Sequence, residues 1–111
     1  MRVFSPELTK CEQTWDYLYA DDAADGILAI AEHGVDGRPY PLGSGNGRQL
    51  SEYIEDIRQQ IAPTVAVRYG AKPYYPHQPM YLLADITALT ADTGWKPQYT
   101  FSEGIRKTIL L

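Results

Sequence analysis

Three glycines with the approximate spacing of a phosphate-binding turn stand directly before an amphipathic segment. Gly43, Gly45 and Gly47 run as G-x-G-x-G in the stretch PLGSGNGRQLSEYIEDI. A dinucleotide-binding turn needs G-x-G-x-x-G, and Arg48 occupies the place of its last glycine. A P-loop needs Gly-Lys followed by Ser or Thr, which Arg48-Gln49 does not supply. We therefore expect turn chemistry between a strand and a helix rather than a phosphate cradle.

Three acidic residues lie close together in the sequence and could suggest metal binding or acid–base chemistry. Asp21, Asp22 and Asp25 fall at the start of a predicted helix. Carboxylates in a first helical turn cap free amides and interact favourably with the helix dipole. We therefore predict that Asp21 or Asp22 is the N-cap of this helix and that the cluster binds no metal.

A cysteine and two histidines are the remaining candidates for nucleophilic chemistry. Cys11 could pair with His33 or His77, but the sequence identifies no third group that would orient the base. His33 lies in the last turn of a predicted helix, where a cation is favourable, and a free cysteine is usually a small buried hydrophobe. His77, in a loop rich in tyrosine and proline, is the better pocket candidate. Residue types alone therefore indicate a binding or structural α+β domain.

Composition narrows the class of protein further. The 111 residues carry a formal charge of −4, and their ten Lys and Arg are scattered. This pattern argues against nucleic acid and anionic membranes as partners. One cysteine and the start MRVFSPELTK, which lacks a signal-peptide core, favour a cytoplasmic setting. The sequence has nine Tyr and two Trp, many of them in WDYLY and PYYPHQPMY, and either segment could line a sugar or base pocket.

Hydrophobic periodicity places these residues on a small set of elements within a single domain, residues 1–111. Pro63 should close one helix, and Gly94 another. Thr100 and Glu103 should form a capping box. We predict helices over 23–33 and 50–61, from the cap Asp85 to about Thr93, and from 101; strands over 15–22, 38–42 and 64–69; and an extended loop over 71–79.

Four segments together resemble a known family. They are WDYLYADDAADGILAI, YPLGSGNGRQLSEYIEDI, LLADITAL and TGWKPQYTFSEGIRKTI. In this order they look like the C-terminal part of the extended short-chain dehydrogenases/reductases, the NAD(P)-dependent epimerases and dehydratases of nucleotide sugars. The resemblance covers about residues 8–110, and its last segment, with Gly-Trp-x-Pro and Phe-x-Glu-Gly-Ile-Arg-x-Thr-Ile, is the most specific.

This resemblance implies a fold and a division of labour. The expected fold is α+β (mixed α/β), with about four helices and short strands. It would be the small substrate-binding domain of an extended short-chain dehydrogenase/reductase, lacking the Rossmann half. In the family, the Rossmann domain binds NAD or NADP and carries a catalytic Tyr-x-x-x-Lys pair. These residues contain no G-x-x-G-x-x-G, and none of the nine tyrosines precedes a lysine by four positions. We expect this chain alone to bind no cofactor and to contain no catalytic residue.

The resemblance also suggests substrate contacts. The family's Arg-Asp-Phe-x-x-Val-x-Asp segment aligns with WDYLYADD, so Trp15 replaces an arginine that relatives use near the diphosphate. A second arginine, in Arg-Pro-Gly-Asp, would fall at Tyr75. The aromatic replacements could stack on a base or sugar, or could be core residues. Family position and loop location together give these substrate-binding candidates: Trp15, Asp16, Arg68, Tyr74, Tyr75, His77 and Gln78.

The sequence therefore predicts a domain that positions a nucleotide sugar for chemistry performed by an N-terminal Rossmann domain. Two alternatives remain open, a stand-alone nucleotide-sugar binding module and a non-catalytic assembly domain that forms a homo-oligomer. Saturable affinity for a nucleotide sugar would favour a binding role, whereas concentration-dependent oligomers would favour assembly.

Overall fold

The computed structural model of the chain describes residues 5–110. These residues form four helices and a small three-stranded sheet, which confirms the mixed α/β prediction. The helices are α1 (Ala20–His33), α2 (Leu50–Ile61), α3 (Thr87–Thr93) and α4 (Phe101–Ile109), and the strands are β1 (Thr14–Trp15), β2 (Arg48–Gln49) and β3 (Tyr81–Leu82). Within residues 5–110, none of the helices has the length and apolar character needed to cross a bilayer.

The described residues divide into two compact units. The first contains the described residues up to Trp15 together with Arg48–Tyr81. The second contains Asp16–Gly47 and the described residues from Leu82 onward. Strands β1 and β2 and helix α2 therefore belong to the first unit, and α1, α3 and α4 belong to the second.

The strand order of the sheet is β2–β1–β3, and β1 and β2 lie in the first unit. Strands β1 and β2 are antiparallel, with Thr14 opposite Gln49 and Trp15 opposite Arg48. Tyr53 of α2 is buried, and its hydroxyl donates a hydrogen bond of 2.9 Å to the carbonyl of Trp15. The amphipathic helix predicted over 50–61 is thus confirmed, and its buried tyrosine fastens it to the sheet.

The second unit has its core where α1 packs against α3. Leu89 of α3 and Trp95 just beyond it are buried. Asp22 of α1 is also fully buried, and its two carboxylate oxygens accept the backbone N–H groups of Gln98 and Tyr99 at 3.0 Å each. This carboxylate ties the first turn of α1 to the segment that leads into α4.

The start of α4 is fixed by the predicted capping box. The hydroxyl of Thr100 accepts the N–H of Glu103 at 3.2 Å, and the Glu103 carboxylate accepts the N–H of Thr100 at 3.0 Å. The second of these bonds lowers the pKa of Glu103, because it favours the ionised form. Gly94, in the left-handed conformation with φ of 76°, ends α3 as predicted.

Replacing Thr100 with alanine should lower the free energy of unfolding by about 1 kcal/mol, because the N–H of Glu103 loses its acceptor. Urea denaturation followed by far-UV circular dichroism measures the change. Thr100→Ser keeps the hydroxyl and should retain most of the stability. Equal losses in the serine and alanine variants would contradict this role of the cap.

Two predicted strands are wrong. Residues 64–69 form no strand, and only Arg68 there makes an isolated parallel bridge, with Glu7. Residues 38–42 also lie outside any strand, and the Tyr40 hydroxyl instead donates to Asp92 at 2.7 Å. β-branched residues fit a pleated surface, but they form a strand only where a neighbouring strand supplies hydrogen bonds.

The predicted strand over 15–22 and the predicted helix caps also need correction. Strand β1 ends at Trp15, α1 begins at Ala20, and its N-cap is Tyr19 rather than an aspartate. Asp22 accepts amides far away in the sequence instead. The N-cap of α3 is Ile86, although the Asp85 carboxylate accepts the N–H of Thr87 at 3.0 Å. Short-range capping rules could not foresee the distant partners of Asp22.

Candidate functional site

An open groove of about 440 Å³ lies in the second unit. Asp16 lines it together with Leu18, Pro41–Gly43 and Leu82–Ala84. Leu82 and Leu83 remain 53% and 40% exposed, so part of the groove wall is apolar surface open to solvent. Among these residues only Asp16 was a predicted site residue. The others lie in LLADITAL, in the glycine-rich stretch and, for Leu18, in WDYLYADD. These segments matched the family pattern but offered no recognisable chemistry.

The carboxylate of Asp16 is held by the glycine-rich turn. The N–H of Ser44 donates to both carboxylate oxygens, at 2.9 and 3.1 Å, and the N–H of Gly45 donates at 3.3 Å. The Ser44 hydroxyl adds another hydrogen bond to the same carboxylate. Gly45 has φ of 74°, a left-handed conformation that suits glycine. The turn therefore presents amides to an anion, and that anion is a side chain of the same unit.

This arrangement does not fit the phosphates of a dinucleotide. The amides that would cradle a phosphate already bind a carboxylate, and a second anion beside Asp16 would be repelled. The glycine spacing also lacks the last glycine of the dinucleotide fingerprint. The residues of this turn are therefore not an NAD(P) site, and we derive no chemical step through such a cofactor.

In the first unit, the tyrosine- and proline-rich loop is anchored at both of its sides. The indole N–H of Trp15 donates to the carbonyl of Pro79 at 3.1 Å. The hydroxyl of Tyr74 accepts the backbone N–H of Glu12 at 2.8 Å. These hydrogen bonds hold the loop in place. Trp15 and Tyr74 are both half-buried, so part of each ring remains accessible.

Between these anchors the loop displays its middle residues. Tyr75 is 79% exposed, so it is not a core aromatic. The N–H of Gln78 donates to the carbonyl of Tyr75 at 3.1 Å and closes a turn. His77 within the turn has φ of 62°, an uncommon conformation for a residue other than glycine. The hydrogen-bonded turn therefore leaves the ring of Tyr75 and the imidazole of His77 exposed to solvent.

Arg68, the predicted cation, is already paired in the first unit. Its guanidinium binds the Glu7 carboxylate, and the arginine side chain is 60% exposed. The next residue, Tyr69, donates a hydrogen bond to Glu55 at 2.7 Å. The pKa of Tyr69 is raised, mainly by burial and secondarily by this hydrogen bond. An anionic ligand would compete with Glu7 for this guanidinium.

The predicted site residues therefore fall into two groups. One loop and its anchors bring together Trp15, Tyr74, Tyr75, His77 and Gln78, and Arg68 lies in the same unit but is bound to Glu7. Asp16 belongs to the second unit, where it organises the glycine-rich turn. Within residues 5–110, no group of three His, Cys, Asp or Glu side chains is arranged to bind a metal ion.

A second groove, of about 480 Å³, runs along α2 in the first unit. Its lining includes Glu52, Glu55 and Asp56. Arg48 at its edge lies 3.8 Å from Glu52 and 4.0 Å from Asp56. Glu55 is paired with Arg58 at 2.8 Å, so these carboxylates already have cationic partners, and the described residues that line the groove show no free cation for an anionic ligand.

Sequence comparisons relate this chain to known proteins. No family model matches the chain. The dTDP-glucose 4,6-dehydratase of Salmonella typhimurium is 30% identical over 112 residues, an alignment that covers 94% of this chain and 30% of that protein. The chain thus spans under a third of the length of the first curated relatives it matches.

Solved structures show the same relationship in three dimensions. An epimerase from Methanothermobacter thermautotrophicus superposes with a TM-score of 0.82 at 25% identity, covering 94% of this chain and 32% of that one. The dTDP-glucose 4,6-dehydratase of Bacillus anthracis, solved in complex with NAD, gives 0.79 at 21% identity, covering 94% and 33%. The chain is therefore a homologue of the dTDP-glucose 4,6-dehydratases and related nucleotide-sugar epimerases, consistent with the C-terminal part of an extended short-chain dehydrogenase/reductase.

Proposed function

We propose that residues 1–111 are the substrate-binding part of an NAD(P)-dependent nucleotide-sugar epimerase or dehydratase. The observation that carries this proposal is the likeness to dTDP-glucose 4,6-dehydratases over 94% of the chain. The role is binding rather than chemistry, because these residues contain no Tyr-x-x-x-Lys pair and no dinucleotide fingerprint. An NAD(P)-binding domain outside these 111 residues would perform the reaction.

The anchored loop of the first unit supplies the main contact surface in this proposal. The exposed ring of Tyr75 offers a flat face for a base or a sugar, and His77 and Gln78 beside it offer polar groups. The indole N–H of Trp15 and the hydroxyl of Tyr74 already form hydrogen bonds that anchor the loop. Their hydrogen bonds hold Tyr75 in place before the ligand arrives, which reduces the entropy lost on binding.

Arg68 is the candidate cation for the diphosphate. Its pairing with Glu7 at an exposed position is weak in water, because solvent screens the attraction and competes for both groups. A diphosphate carries more charge than a carboxylate and can accept a bidentate guanidinium. We therefore propose that the ligand takes Arg68 from Glu7 when it binds.

Asp16 acts as a positioning residue in this account. Its carboxylate already accepts hydrogen bonds from Ser44 and Gly45, so it shapes the glycine-rich turn beside the groove. The groove that this turn borders would hold part of the sugar in a fixed orientation. Orientation of bound reactants contributes large rate factors, which is how a domain without catalytic groups supports catalysis.

Titration of the chain with dTDP-glucose and UDP-glucose should give saturable binding in calorimetry or in amide NMR spectra. Replacing Tyr75 by alanine should weaken this binding about fivefold, because an aromatic stacking face is lost. Tyr81→Ala is the matched control, since Tyr81 is 71% exposed but lies in β3 outside the loop. It should leave the affinity unchanged.

Free glucose serves as a negative control for this titration. A chain that stays folded but binds no nucleotide sugar would contradict the proposed function and favour a non-catalytic assembly role. Equal weakening by Tyr75→Ala and Tyr81→Ala would contradict the assignment of the loop as the contact surface.

A further inference from the structure

The glycine-rich turn contains the sole asparagine of the sequence, Asn46, and Gly47 follows it directly. Asparagine is a thermolabile residue, and an Asn-Gly pair readily cyclises because glycine has no side chain to hinder attack by its own backbone nitrogen. Asn46 is exposed, so water has access to it. The turn therefore combines the residue pair and the exposure that spontaneous deamidation requires.

The turn has little spare room on either side of Asn46. A Cβ at Gly45 would lie 2.8 Å from Cδ1 of Ile86, and a Cβ at Gly47 would lie 1.8 Å from Cδ2 of Leu83. Both glycines therefore pack directly against the segment 83–86 within the second unit. Because these contacts are close, the main chain between the two glycines cannot be lengthened without moving one of them.

Hydrogen bonds connect the backbone of Asn46 to the carboxylate that lines the groove. The N–H of Asn46 donates to Oγ of Ser44 at 3.0 Å, and the Ser44 hydroxyl donates to Asp16. The N–H of Ser44 donates to the same carboxylate at 2.9 Å. A displacement of the backbone at Asn46 therefore disturbs the serine that holds Asp16 beside the groove.

We infer that Asn46-Gly47 is a deamidation site whose isoaspartyl product distorts the glycine-rich turn. The backbone nitrogen of Gly47 forms a bond to Cγ of Asn46, the Cγ–Nδ2 bond breaks, and Nδ2 leaves as ammonia with the proton of the Gly47 amide. Water then opens the cyclic imide. Cleavage at Cγ gives aspartate, whereas cleavage at the main-chain carbonyl carbon gives isoaspartate, and water is the co-reactant in both cases.

The isoaspartyl product changes the path of the main chain. Its backbone runs through Cβ and Cγ, so one more carbon atom separates Cα of residue 46 from Cα of Gly47. This extra atom has to displace Gly47 from Leu83 or withdraw the N–H of residue 46 from Ser44. The inference goes beyond the proposed function and does not rest on it, because it concerns the turn alone.

Ageing the purified chain in warm, mildly alkaline buffer tests this site, since base promotes loss of the Gly47 amide proton. Mass spectrometry weighs the peptide that contains residue 46, and electron-transfer fragmentation distinguishes isoaspartate from aspartate. Amide NMR spectra of the same samples follow Ser44 and Gly45. The peptide should gain the mass of an NH₂-to-OH exchange, and a second set of Ser44 and Gly45 signals should grow with the same time constant.

Two variants serve as controls. Asn46→Gln keeps an amide but requires a larger ring, so its mass and its Ser44 and Gly45 signals should stay constant. Freshly purified Asn46→Asp has the new carboxylate on an ordinary backbone, and its signals should lie close to those of the unmodified chain because solvent screens an exposed charge. Isoaspartate formed at the exposed Asp36-Gly37 pair changes no mass and is distinguished by its position.

Three results would overturn this inference. A mass gain at residue 46 no larger than in Asn46→Gln would show that the folded turn protects the asparagine. A mass gain without new Ser44 and Gly45 signals would show that the turn accommodates the product. The same new signals in fresh Asn46→Asp would assign the distortion to charge and not to the lengthened backbone. Melting curves ensure that each variant is folded before the comparison.

Discussion

Replacing Asp22 with alanine should lower the free energy of unfolding by about 3 kcal/mol, measured by urea denaturation of the whole chain. The Asp22 carboxylate is fully buried and accepts the N–H groups of Gln98 and Tyr99 at 3.0 Å each. Alanine would leave both backbone donors without their acceptor at a part-buried position. Each lost partner costs about 1 to 3 kcal/mol, so this single change combines two such losses.

Asp21→Ala is the matched control for this prediction. Asp21 is the neighbouring residue in the first turn of α1 but is exposed, so it shares the charge and dipole interaction of Asp22 without its buried partners. Its loss should cost about 0.5 kcal/mol. Similar losses in the two variants would show that the helix dipole, and not the pair of amides, accounts for the effect of Asp22.

The parts of the fold that could be predicted from sequence are those set by local rules. Helix α2 follows its apolar periodicity from Leu50 to Ile61, and α4 begins at the Thr100 capping box. Gly94 ends α3 because a left-handed residue is needed there. Periodicity and caps depend on residues within one or two turns, so a single sequence contains the necessary information.

The parts that could not be predicted depend on residues far apart in the chain. Asp22 reaches Gln98 across 76 residues, and Asp16 reaches Ser44 across 28. Asp22 had a plausible short-range role as a helix cap, and Asp16 was a candidate by family position, but nothing in the sequence indicated their distant amide partners. Dependence on distant residues also explains why 64–69 form no strand. The composition of this segment suits a β-sheet, but a strand also needs a neighbouring strand to pair with.

The candidate site shows the same division. The prolines around Tyr75 excluded regular structure and correctly indicated a loop. The exposure of Tyr75 and the anchoring of the loop by Trp15 and Tyr74 required coordinates, because an aromatic residue replacing an arginine could equally have been buried. Sequence therefore located the loop, and structure distinguished its exposed ring from the rings that support it.

Replacing Gly43 with alanine should lower the free energy of unfolding by about 2 kcal/mol and disturb the groove beside Asp16. A Cβ at this position would lie 2.5 Å from Oδ2 of Asp16 and 2.6 Å from the Cβ of Ala84. The Ala84 methyl is attached directly to the backbone and cannot rotate away, so relief requires movement of Asp16 or of the turn. Urea denaturation and the amide NMR signals of Ser44 and Gly45 measure the two effects.

Gly37→Ala separates this contact from the general cost of replacing a glycine. Gly37 has φ of 77° and open space around its Cα, so alanine there should cost about 1 kcal/mol through backbone conformation alone. The signals of Ser44 and Gly45 should remain unchanged in that variant. If they also remain unchanged in Gly43→Ala, the turn tolerates the added methyl, and close packing of Gly43 against Asp16 does not determine the shape of the groove.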